Sequence, residues 1–147
     1  MTKAIYFDMD GTIADLYGVD NWLSMLQAED ESPYLMAEPL LRLSTLAKIL
    51  NNLQKKGYTV GIISWLSKNS SENYDFAVTK AKIKWLKSHL ASVNFDEISI
   101  VPYGTPKENC AKFPKGILFD DELKNRENWK GMAFDEKNIL EVLKALK

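Results

Sequence analysis

Residues 6–15 read YFDMDGTIAD, and the reading of this decapeptide decides the fold. With Ala4 and Ile5 before it, a short apolar run over 4–7 stops at Asp8 and Asp10. A run of that length bounded by turn-forming residues predicts a buried strand. Two carboxylates one residue apart at a strand end repel each other. A divalent cation offsets the repulsion, and oxygen ligands suit Mg²⁺. Gly11 permits a tight turn close to a bound anion. The N–H groups of that turn, at Gly11 and Thr12, are expected to cradle phosphate oxygens. Taken alone, D-x-D-G also describes a solvated acidic turn.

Working outward, apolar runs and helical patterns alternate. Leu40, Leu43, Leu46, Leu50 and Leu53 recur at helical spacing, with Pro39 suited to the first turn and Gly57 to the end. Residues 58–64 (YTVGIIS) predict a buried strand. Residues 74–90 form a lysine-rich amphipathic helix with Ala77, Ala81, Trp85 and His89 along one line. Residues 98–101 predict another strand, and Thr105-Pro106 the start of a short helix. Strands are also expected over 117–119 and 131–134. Asp135 is placed to cap a last helix whose core face is Ile139, Val142, Leu143 and Leu146. Five apolar strands separated by helices predict an α/β fold: a Rossmann-like three-layer sandwich around a five-stranded parallel sheet. Residues 16–38 read as a minimal cap-like insert after the first strand, within a single domain spanning 1–147.

In such sheets the site lies beyond the carboxyl ends of the strands. The Asp8–Asp10 pair, Ser64 and the Asp120–Asp121 pair each end a predicted strand. Two acidic strand ends side by side need a cation more than one does. Glu122 is expected to begin the next helix, where the dipole favours a carboxylate.

The 147 residues include 46% hydrophobic and 27% charged side chains, as in soluble globular proteins. A net charge of -1 leaves no electrostatic footprint for nucleic acid or an anionic membrane. The one cysteine, Cys110, reads as a semi-buried structural thiol, and the one histidine, His89, as a surface or helix-end residue. Neither a zinc set nor a cysteine–histidine dyad is available. The N-terminal apolar run is too short, and too soon interrupted by Asp8, for a signal peptide or a membrane span. A cytoplasmic location is the default expectation.

YFDMDGTIAD resembles the first signature of the haloacid dehalogenase-like hydrolases. Gly61-Ile62-Ile63-Ser64 resembles the second, Lys107 the third, and Leu118-Phe119-Asp120-Asp121 the fourth, all in family order. The resemblance implies that Asp8 attacks phosphorus and forms an aspartyl phosphate. It implies that Asp10 protonates the leaving oxygen and later activates water, the second carboxylate marking the phosphatase branch. It implies Mg²⁺ as cofactor, held by the Asp8 carboxylate, the Asp10 backbone carbonyl and one or both of Asp120 and Asp121. Ser64 and Lys107 are the implied ligands of the phosphoryl oxygens. Lys112 and Lys115 are rivals of Lys107. Lys107 is favoured by its place in a first helical turn near the rim, Lys115 being expected at the opposite end of the sheet.

The run YDFAVTKAKIKWLKSHL, with the Lys82-to-Trp85 spacing and a later ILFDD, is similar in order to the 5'(3')-deoxyribonucleotidases. That implies a small phosphorylated substrate such as a nucleoside monophosphate. Trp65, next to Ser64 at the rim, joins the phosphate-binding set and has the best claim to stack a base, with Tyr17 and Trp22 as the others. The insert is shorter than the helical cap of those enzymes, which implies a more open site. An open site permits a macromolecular substrate (a phosphoprotein or nucleic-acid end) as one alternative, and a non-catalytic binding module on the same fold is the other.

Overall fold

The computed structural model describes residues 2–146. In chain order the strands and α-helices are β1 (Ala4–Phe7), β2 (Ala14–Asp15), α1 (Trp22–Gln27), α2 (Ser32–Met36), β3 (Glu38–Pro39), α3 (Leu43–Lys55), β4 (Thr59–Trp65), α4 (Glu72–His89), β5 (Glu97–Val101), β6 (Ile117–Phe119), α5 (Leu123–Asn128), β7 (Ala133–Phe134) and α6 (Ile139–Lys144). The main sheet has the order β5-β4-β1-β6-β7, and each neighbouring pair is parallel. The expected Rossmann-like α/β sandwich is therefore present, with β1 at its centre. Every residue of β1 is buried, as its unbroken apolar run requires of a strand covered on both faces.

One face of the sheet carries Ile5, Phe7, Val60, Ile62, Ile117 and Phe119. Leucines 43, 46, 50 and 53 of α3, Trp85 and Leu86 of α4, and Ile139 and Leu143 of α6 pack in the same cluster. Each such buried leucine contributes about 1.5–3 kcal/mol of transfer free energy. The other face is thinner: Ala4, Tyr6, Ile63 and Leu118 meet Trp129, Cys110 and Ala111. Alternation along β4 separates the two sets, Val60 and Ile62 facing one way and Ile63 the other.

The α3 helix ends as predicted. Gly57 takes φ +94° while the Tyr58 N–H reaches back to the Leu53 carbonyl at 3.0 Å, a Schellman-type stop. Its start differs from expectation. Pro39 does not open the helix. It pairs instead with Ala14 in the two-stranded antiparallel β2–β3 ladder, and α3 begins at Leu43. Pro39 lacks an N–H, which an edge pairing of two residues tolerates. The stretch 16–38 thus forms a 3₁₀ turn and two short helices, α1 and α2, clasped at their base by that ladder. The buried line of α4 also differs. It runs through Tyr74, Val78, Ala81, Lys82 and Trp85, with His89 exposed at the helix end. Among the described residues no helix is long and apolar enough to cross a membrane.

Candidate active site

Strand register brings the polar strand ends together. Phe7 lies opposite Ile62 on one side and Phe119 on the other. Asp8 and Asp120 therefore leave the sheet at one edge, where Ser64, still paired with Ile100, lies next to the last residue of β4. Lys107 reaches that edge from a 3₁₀ turn, Lys107–Asn109, that follows β5. Its ammonium, 2% exposed, donates to Asp8 Oδ1 at 2.8 Å and Asp120 Oδ2 at 2.7 Å. The choice of Lys107 over Lys112 and Lys115 matches this geometry, and the helix expected there is one turn only.

The acidic cluster is Asp8, Asp120 and Asp121, which offer oxygens all within 4.8 Å of one another. Asp120 is held by three further contacts. Its Oδ1 accepts the Glu122 N–H at 2.9 Å, its Oδ2 an Asn125 N–H at 3.1 Å, and its carbonyl the Arg126 guanidinium at 2.9 Å. The Asp10 side chain stands apart from the cluster. Its Oδ2 pairs with Lys82 Nζ at 2.9 Å. Lys82 also donates to Ser64 Oγ at 2.6 Å and the Trp65 carbonyl at 2.7 Å. Periodicity treats a lysine as solvated, and so Lys82 was visible only as part of a family-like spacing. The available signal was its position four residues after Val78 and three before Trp85, on the buried line.

One expectation is corrected. The N–H groups of Gly11 and Thr12 are not open to a phosphate, because Gly11 donates to Ala14 O at 2.8 Å and Thr12 to Met9 O at 3.1 Å. The turn closes on itself. Gly11, at φ +81°, serves close approach: a Cβ there would overlap the Asp121 carboxylate and the Tyr17 ring. The fully buried Thr12 hydroxyl lies 3.0 Å from Asp8 Oδ2 and accepts the Asp121 N–H at 3.2 Å, tying the two acidic strand ends together. The Trp65 indole N–H donates to the Thr105 carbonyl at 2.8 Å. What Trp65 offers is its ring, which has Lys107 Nζ 5.5 Å from its centroid and Tyr103 packed against it at 5.0 Å.

Charge explains the electrostatics. Four carboxylates against two ammonium groups leave two surplus negative charges when all are ionised. Burial would raise the Asp8 carboxyl, but Lys107 and a hydrogen bond with Asp121 hold it below the usual carboxylate range. Burial raises Asp10, with Lys82 opposing and Asp8 adding to the rise. Asp121 is pushed up to about 8 by burial and then by Asp8, and Asp120 to about 6 for the same reasons. Such a cluster of hard oxygen donors resisting full ionisation fits a divalent cation.

Above the cluster opens a cleft of about 560 Å³. Asp8, Asp10, Lys107, Asp120 and Asp121 form its floor, and the insert lines it with Tyr17, Trp22, Leu23 and Tyr34. Trp65, Lys68 and Tyr103 line it as well. The insert, though short, thus walls the site. It is pinned to the loop and helix after β4. Tyr34 Oη meets Ser67 Oγ at 2.7 Å, Glu29 accepts the Ser71 N–H at 3.0 Å, and Tyr74 Oη donates to the Asp30 carbonyl at 2.9 Å.

Among solved structures, the chain is similar to D,D-heptose 1,7-bisphosphate phosphatase from Burkholderia thailandensis. The TM-score is 0.52 at 18% identity, covering 86% of this chain and 70% of the other. At that identity the likeness establishes a shared α/β fold. Neither protein-family models nor curated proteins give a match.

Proposed function

We propose that this chain, acting as one hydrolase domain of the haloacid dehalogenase-like type, is a Mg²⁺-dependent phosphomonoesterase working through Asp8. One observation carries the proposal. Two carboxylates on the same strand end have different surroundings: Asp8 pairs with Lys107 beside Asp120 and Asp121, which favours its ionised form, while Asp10 pairs with Lys82 apart from that cluster and is drawn by burial toward the protonated form. Environments that push paired acids apart divide them into nucleophile and proton donor. The fold shared with a phosphatase supports the same reading.

In this mechanism the Asp8 carboxylate attacks phosphorus. The ester P–O bond breaks as the Asp8–phosphorus bond forms, and the Asp10 proton passes to the departing oxygen. Asp10, now ionised, takes a proton from water as that water attacks phosphorus, and the bond to Asp8 breaks to release phosphate. Lys107 holds Asp8 in place and offsets part of the charge that gathers there. Ser64 donates its hydroxyl to a phosphoryl oxygen. Asp8, Asp120 and Asp121 would hold Mg²⁺, which would supply the remaining charge compensation between anionic nucleophile and anionic substrate.

The cleft favours a small phosphorylated substrate over a macromolecule, since its volume lies in the range of small-molecule sites. Its wall of Tyr17, Trp22, Trp65 and Tyr103 suits a flat aromatic group, and a nucleoside monophosphate combines such a group with the phosphate. The test is phosphate release from nucleoside monophosphates and from sugar phosphates with Mg²⁺, the Asp8→Asn protein serving as blank. Release from nucleotides with kcat/KM at least about tenfold above sugar phosphates is the expected result. No release from either set by the wild-type protein overturns the proposal.

A further inference from the structure

Resting on the phosphohydrolase reading above, we infer that Lys82 is a positioning residue. It fixes Asp10 by one oxygen and turns the Ser64 hydroxyl toward the phosphoryl group. Lys82 stands on α4, outside the strand ends that supply the rest of the site, and is only 1% exposed. Its three ammonium hydrogens meet three acceptors: Asp10 Oδ2 at 2.9 Å, Ser64 Oγ at 2.6 Å and the Trp65 carbonyl at 2.7 Å. No donor remains for a ligand. Lys82 therefore acts through its partners.

Both partners are left with one free function. Among the described residues no donor reaches Asp10 Oδ1, and Asp10 lines the cleft. That oxygen is left for the proton that goes to the leaving group. Ser64 is fully buried and accepts from Lys82, and its own hydrogen has no acceptor among the described residues. A buried hydroxyl with an unused donor, next to Trp65 of the cleft wall, is matched by an anionic oxygen of the substrate. Packing alone does not account for the lysine, because a methionine would fill the space between Tyr34 and β4 without the desolvation of a charge. The Tyr34 ring, 5.0 Å from Nζ, closes the fourth side and links this arrangement to the insert.

The test uses the full chain with Lys82→Met, and Lys82→Gln as a second variant that keeps a donor should the first fail to fold. Two substrates are compared with Mg²⁺: 4-nitrophenyl phosphate, whose leaving group needs no proton, and a simple alkyl phosphate, whose leaving group does. With Asp10 misplaced, kcat/KM for the alkyl ester falls by about 10²- to 10⁴-fold, while that for the nitrophenyl ester changes by less than about tenfold. The second step also slows, so the variant shows a burst of nitrophenolate followed by slow turnover. Adding Asp10→Asn to Lys82→Met causes no further loss, since the two act as one unit. Equal loss on both esters without a burst, or no loss on either, overturns the role of Lys82. Absence of hydrolysis by the wild-type protein instead overturns the phosphohydrolase reading.

Discussion

Two buried lysines divide the site, and they do different things. Lys107 spans two carboxylates, Asp8 and Asp120, with Asp121 alongside. Lys82 meets one carboxylate, Asp10, and two uncharged oxygens. The Lys82 group is charge-balanced, and its ammonium has no donor left for a ligand. The Lys107 group has three acids for one ammonium and stays negative when ionised. The lesson is that burial of a lysine does not by itself indicate ligand binding: the count of opposing charges decides whether a group is complete or awaits a partner.

The largest test of this division is Asp8→Asn. It leaves Lys107 buried with Asp120 but removes the nucleophile, and phosphate release is expected to fall by roughly 10⁴-fold or more with an unchanged circular dichroism spectrum. Retained activity would remove the distinction between the halves.

Next comes the cation. Because Asp121 titrates higher in the folded chain than in the unfolded chain, its contribution to stability is full below the ordinary carboxylate range. That contribution is lost as pH rises toward about 8. In chelator, the melting temperature of Asp121→Asn should therefore gain on wild type between pH 5 and pH 8. Mg²⁺ at about a hundred times its dissociation constant should stabilise wild type by about 2.7 kcal/mol at pH 8, and less at pH 5 where protons compete. Ser64→Ala, in the Lys82 half, should keep that shift, and Asp121→Asn should lose most of it. Equal shifts in both variants would show that the cation does not belong to the Lys107 half.

A smaller effect is expected at the tie across the acidic ends. Thr12→Val keeps the shape but strands the Asp121 N–H, at a cost of about 1–3 kcal/mol in denaturant unfolding. No change would mean that the two acidic ends hold their places unaided. Smallest is Tyr103→Ala at the cleft wall, which packs on Trp65. It should raise KM for an aromatic phosphate by a few-fold, about 1 kcal/mol, and leave an alkyl phosphate unaffected. Equal effects on both would argue against an aromatic subsite.

Much of this was legible along the chain. The apolar strands ending in Asp8, Ser64 and Asp120, the stop at Gly57 and the rank of Lys107 over its rivals follow from local rules of burial, turn chemistry and strand topology. Three features were not. Pro39 carries a helix-start signal that long-range pairing with Ala14 overrides. Gly11 and Thr12 have the composition of an anion cradle, yet their N–H groups are spent inside the turn. Lys82 lies in a helix with many lysines, and only its partners single it out.

The sequence alone therefore determined the α/β class, the order of strands and helices and the acidic rim, because strand period, chain reversal and carboxylate repulsion act over a few residues. The tertiary structure decided which donors remain free, which lysine meets which acid and how the insert walls the cleft. Those depend on atoms brought within 3.3 Å from segments 72 to 109 residues apart, and no local pattern encodes such distances.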